Sequence, residues 1–135
     1  MNQRQRALLW FDGAAGATVG ILVVAFREWL AVLQGFPKGV VLFMGLTNLA
    51  YAGYSTTLAA RATSGRPPSR RSIARLVAAN GGWALFCAGI LASTWPFATP
   101  FGRALVTFEG LFVGCLAFVE YRVLLKRSAA ALRAS

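Results

Sequence analysis

Long apolar runs alternate with short polar breaks along this chain. The runs cover residues 7–33, 39–60, 73–95 and 101–125. Each reaches the roughly 20 mostly apolar residues that a helix needs to cross a bilayer. The breaks carry clear turn chemistry. Gly35, Phe36, Pro37 and Lys38 make one short turn, and residues 95–100 make another around Pro96 and Pro100. Residues 61–72 form a longer polar loop holding Ser64, Gly65, Arg66, Pro67, Pro68 and Ser69. Connections this short make consecutive helices antiparallel neighbours. The pattern predicts one all-α domain over residues 1–135, an integral membrane bundle of four transmembrane helices.

Composition supports that class. Of 135 residues, 57% are hydrophobic and 13% charged, against about 45–50% and about 25% in an ordinary soluble domain. Such apolarity excludes intrinsic disorder, and two cysteines exclude a disulfide scaffold. Cys87 and Cys115 fall in different helices, about 8 Å apart in depth at 1.5 Å per residue, too far for a disulfide.

The net charge of +10 assigns the sides of the membrane. Arg4 and Arg6 precede the first run, Arg61, Arg66, Arg70, Arg71 and Arg75 crowd the long loop, and Arg122, Lys126, Arg127 and Arg133 close the last. The other side offers Lys38, Arg27 and Arg103. The positive-inside rule therefore predicts cytoplasmic termini and a cytoplasmic Arg-rich loop, in a cell membrane of the bacterial inner-membrane kind. Residues 2–6 resemble the start of a signal peptide, but Asp12 interrupts the apolar run behind them, and retention as a first helix is expected. The loop arginines suit anionic lipid headgroups. Without interleaved aromatics they do not suggest nucleic acid.

Several chemistries are missing. Histidine is absent, which excludes imidazole ligation of haem or metal. The only lysines are Lys38 and Lys126, at predicted helix ends. No Cys-x-x-Cys, Gly-rich phosphate loop or Gly-x-Ser-x-Gly elbow occurs. No catalytic set, metal site or cofactor is expected, and the sequence leans away from an enzyme.

The polar groups inside the runs are the candidate chemistry. All four acids, Asp12, Glu28, Glu109 and Glu120, lie there. Ionisable groups in a membrane span cost roughly 2.5–3.5 kcal/mol each at the centre and point to function by default. Counting from the helix ends predicts an outer cluster of Glu109, Asn48, Tyr51 and Arg27. Its structural reading is an Arg27–Glu109 ion pair, and its functional reading is a proton- or cation-binding carboxylate. A second group, Asp12, Tyr54, Ser55, Asn80 and Glu120, falls nearer the cytoplasmic side, where Glu120 is expected to meet interfacial water with Arg122 or Lys126. Asn48, Tyr51 and Tyr54, like Asn80, Trp83 and Phe86, follow i, i+3 spacing and share helix faces. A pocket lined by these groups suits an amphipathic ligand.

Gly16 with Gly20, and Gly110 with Gly114, form small-residue faces for close helix packing, within the bundle or against a second copy. Trp10, Trp29 and Trp95 fall near predicted interfaces, whereas Trp83 is deep. The expected function is a non-enzymatic accessory subunit or a bundle that binds a lipid-like molecule, with the bilayer and a homodimer or membrane-protein partner as its company. The alternative is a small oligomeric transporter or channel that uses Glu109 as its protonation or ion-binding site.

Overall fold

A computed structural model describes residues 1–126. The elements are helices α1 (Gln3–Ala25), α2 (Arg27–Gln34), α3 (Lys38–Thr63), α4 (Arg70–Thr94) and α5 (Pro100–Glu120), with a π-helical continuation, Tyr121–Lys126. No strand occurs among the described residues. The expectations for Arg127, Arg133 and the Lys126 side chain lie outside them.

Three of these stretches are long and apolar enough to cross a membrane: α1, α4, and α5 continued to Leu125. Helix α3 is as long but more polar, because Thr47, Asn48, Tyr51, Tyr54, Ser55, Thr56 and Thr57 interrupt its aliphatic residues. The outward surface is rich in large apolar side chains, including Ile21, Leu85, Phe108, Leu111 and Phe118.

The helix starts follow local chemistry. Asn2 caps α1 in a reciprocal capping box with Gln5. Ser69 caps α4 through the Ser72 N–H, and Thr99 caps α5 through the Gly102 N–H with Pro100 in the first helical turn. At the end of α2, Gly35 takes φ +70°, and the Phe36 N–H bonds back to the Ala31 carbonyl at 3.0 Å. That bond stops the helix in a left-handed cap, which glycine adopts without a Cβ penalty.

The expected first helix over 7–33 is in fact two. Phe26, at φ −106° and ψ 19°, separates α1 from α2. Its N–H still bonds Leu22 and its carbonyl still accepts from Leu30, so the chain bends without opening into a loop. The bend comes where the apolar run gives way to Arg27 and Glu28.

Helix α1 packs along α3, and α4 packs along α5. The molecule is therefore two helical hairpins side by side. Close approach in the first depends on glycine. A Cβ on Gly20 would come within 2.9 Å of the Leu49 backbone nitrogen, closer than side chains tolerate. In the second, Gly110 and Gly114 face Cys87 and Ala84. Both small-residue faces are thus occupied by helices of the same chain.

Apolar clusters close the two ends of the bundle. Leu9, Leu58, Leu76 and Leu124 centre one beside the 64–69 loop, and Phe36, Val41, Ile90 and Val106 centre the other beside the short turns. At the loop end, the Gln5 side chain donates to the Val123 carbonyl at 2.9 Å, serving the backbone of the π-helical segment. At the turn end, Thr99 bonds the carbonyls of Leu33 and Gln34. Between the two clusters lie the polar side chains.

Candidate functional site

Each hairpin supplies donors for its own acids. In the first, α1 carries Asp12, only 2% exposed. Its Oδ2 accepts from Tyr51 Oη at 2.5 Å and from Ser55 Oγ at 2.6 Å. Tyr51 and Ser55 are four residues apart on α3, so one helix face presents both hydroxyls. In the second hairpin, the fully buried Glu120 of α5 accepts at Oε2 from Asn80 Nδ2 of α4 at 2.9 Å. Nearer the turn end, Glu109 Oε1 accepts from Trp83 Nε1 at 2.8 Å. Asn80 and Trp83 share one face of α4, and Glu109 and Glu120, eleven residues apart, lie about 20° apart around α5.

Two amides then join the hairpins at this depth. Asn80 also donates to Tyr51 Oη at 2.5 Å, and Asn48 Nδ2 of α3 reaches Glu109 Oε1 at 3.3 Å while donating to the Met44 carbonyl at 3.0 Å. Asp12 and Glu120 also bring their carboxyls within hydrogen-bonding reach of each other, and Glu120 Oε1 has no protein donor among the described residues.

No arginine or lysine among the described residues pairs with Asp12, Glu109 or Glu120. The ion pairs present join Glu28 to Arg27, at 3.6 Å, and to Lys38, all on the surface. The expected Arg27–Glu109 pair is not formed, because the bend at Phe26 makes Arg27 the exposed first residue of α2. Lys38 beside Glu28, which lies beyond the end of α1, holds that carboxyl below the usual glutamate range. Arg103 lies over the Trp95 ring, 4.5 Å from its centroid, and donates to the Trp95 carbonyl.

Other expected placements change as well. Glu120 does not meet interfacial water beside Arg122. It is buried, and Arg122 is exposed over the Phe118 ring. Tyr51, expected with Glu109, gives its hydroxyl to Asp12 instead, so it belongs to the Asp12 cluster. Tyr54 stays outside that cluster and donates to the Ser72 carbonyl at 3.0 Å.

Where the hairpins face each other, the packing leaves a cavity of about 310 Å³. Asp12, Gly16, Asn48, Tyr51, Tyr54, Asn80, Trp83, Glu109 and Phe112 are among its lining residues. A second hollow of about 610 Å³ adjoins it between α1 and α5, sharing Ala15, Val19, Asn48, Glu109 and Phe112. Phe11 and Phe112 approach across this gap, with ring centroids 6.4 Å apart. Gln34, which the sequence did not single out, lines the larger hollow, is 4% exposed and leaves its Oε1 unpartnered among the described residues. Its signal was weak, a lone amide at the buried end of a short helix.

The hollows have the size and mostly apolar walls of small-molecule sites. No group of three histidine, cysteine, aspartate or glutamate residues suited to a metal ion occurs among the described residues. Cys87 and Cys115 are unpaired. No protein-family model, curated protein or solved structure matches the chain.

Proposed function

We propose that this chain is a small bacterial inner-membrane protein that binds a lipid-like, amphipathic molecule between its two hairpins without transforming it. In this reading, α1, α3, α4 and α5 all cross the bilayer, and both termini and the 64–69 loop face the cytoplasm. The polarity of α3 is compatible with a span because its Asn48, Tyr51 and Ser55 bond inward to other helices. The exposed arginines at 61, 66, 70, 71 and 75 supply the positive-inside signal and a surface for anionic headgroups.

One observation carries the binding reading. Glu109 stands in the wall of a mostly apolar cavity, held by neutral donors and by no cation among the described residues. Such a wall buries an apolar body, while the carboxylate and Asn48 orient a polar end. Filling the cavity tests this. Ala15→Trp should leave a folded protein that has lost at least about tenfold in affinity for amphipathic ligands, a change of about 1.4 kcal/mol. Unchanged binding by the folded variant would end the proposal.

The same unpaired carboxylate favours a second reading, a small oligomeric transporter or channel with Glu109 as its ion or proton site. Reconstituted Glu109→Gln should then stay folded and lose pH-dependent flux. A variant equally active at every pH would remove that reading.

A further inference from the structure

We infer that the occupant of this cavity is an organic monocation, an amphipathic amine whose ammonium sits at Glu109. The inference rests on the cavity reading above and adds the charge and chemical class of the ligand. Three interior carboxyls, at positions 12, 109 and 120, have no cationic partner among the described residues, and two of them, Asp12 and Glu109, line the cavity. The described arginines of α1, α3, α4 and the π-helical segment are exposed. Arg27 and Lys38 are engaged by Glu28, and Arg103 by Trp95. Among the described residues no side chain supplies the compensating charge, a role that a proton or a ligand can fill.

The surroundings of Glu109 select among ligands. A bare metal ion requires a shell of several oxygen ligands. The Glu109 carboxylate is instead met by two N–H groups, both directed at Oε1, which a metal cannot use. An ammonium on a carbon skeleton needs only an acceptor and an apolar wall. Both are present: Oε2 receives no protein donor among the described residues, and the rings of Trp83, Tyr51 and Phe112 line the cavity. Aromatic faces attract cations through the negative potential of the ring.

Gln34 adds an independent indication. Its buried Oε1 is an acceptor without a partner in the adjoining hollow, and an unmet buried acceptor calls for a donor. Gln34 packs against Gly102 at the start of α5, and Glu109 lies seven residues farther along that helix, about 10 Å at 1.5 Å per residue. The two acceptors thus mark the ends of an apolar path. No acceptor-rich ligand such as a fatty acid is served by it. The opening between α1 and α5 would admit the amine from the lipid phase.

A charge series on one skeleton tests the inference. Phenylbutylamine, phenylbutanol and phenylbutyrate would be titrated calorimetrically into the full chain in zwitterionic nanodiscs, with empty nanodiscs as the blank. The amine should bind at least about tenfold more tightly than the alcohol, and the carboxylate most weakly. Glu109→Gln should erase the advantage of the amine over the alcohol, and an advantage that survives in the folded variant would overturn the assignment of the ammonium to Glu109. The wild-type ranking alone decides the matter if that variant fails to fold. Equal binding of amine and alcohol would overturn the cationic assignment and leave the cavity reading standing. Tightest binding of the carboxylate would also overturn it. Binding of none of the three would overturn both.

Discussion

The Asp12–Glu120 cluster and the Glu109 site use the same chemistry to opposite ends. Around Asp12 and Glu120, buried donors from α3 and α4 close on the two acids, and the side chains of Ser55 and Asn80 are themselves almost fully enclosed. Glu109 is only half-buried, takes both of its donors on one oxygen and faces open volume. A carboxyl bonded by enclosed partners on several helices fixes how those helices meet. A carboxyl with one side left free is available to something that arrives later. Position within a long apolar helix does not separate the two roles, whereas the number and placement of donors does.

Substitutions should split along that line, and the largest effect is expected in the closed cluster. Asn80→Leu removes the donor to Glu120 and a bond to Tyr51. Orphaned buried groups cost about 1–3 kcal/mol each, so unfolding in detergent should shift by an amount in that range or above it. Glu109→Gln should shift it by less than about 0.5 kcal/mol, because a glutamine oxygen still accepts from Trp83 and Asn48. Equal losses at the two positions would erase the distinction.

Packing gives the next contrast. Gly20→Ala pushes a methyl into Leu49, including its backbone, and overpacking of this kind costs about 1–3 kcal/mol. Gly53→Ala, on the open side of α3 with nothing within 4 Å, should be neutral or stabilising by up to about 1 kcal/mol through helix propensity. Thermal melting of the pair measures the difference.

The smallest effect lies at the exposed Glu28. Its folded-state pKa is lowered by Lys38, so any stability the pair supplies is present above the ordinary glutamate value and fades as pH falls through the folded one. Lys38→Gln should raise the Glu28 midpoint toward the ordinary value, as read by carboxyl-carbon NMR. Exposure and salt screening leave little of this in overall stability.

Much of the helical organisation was legible in the sequence, since apolar runs and their proline- and glycine-marked breaks follow from chain composition alone. Depth was legible too. Residue counting set Asn48 level with Glu109, and the two are hydrogen-bonded. Counting along a helix gives axial position but neither its bends nor its rotation against neighbours. The bend at Phe26 therefore went unseen, and with it the removal of Arg27 from the interior. Arg122 and Lys126, which follow Glu120 closely, suggest an interfacial position for it. Its burial depends instead on Asn80 of α4 and Asp12 of α1 meeting it from the other side, a three-helix arrangement that no local pattern encodes. Gln34 was missed for a similar reason: its seclusion comes from the Thr99 and Gly102 backbone across the turn.

The hairpin-by-hairpin arrangement of donors bears on how such a chain can be made. As synthesis proceeds, α1 meets α3 before α4 exists, and Asp12 already has Tyr51 and Ser55 to bond. When α4 and α5 follow, Asn80 and Trp83 are waiting for Glu120 and Glu109. If the helices enter a bilayer as proposed, no acid has to leave the translocon without a donor in its own half, while the two asparagine bridges and the approach of Asp12 to Glu120 await the meeting of the halves. Two separately translated fragments divided within the 64–69 loop should accordingly insert on their own and reassemble in the bilayer.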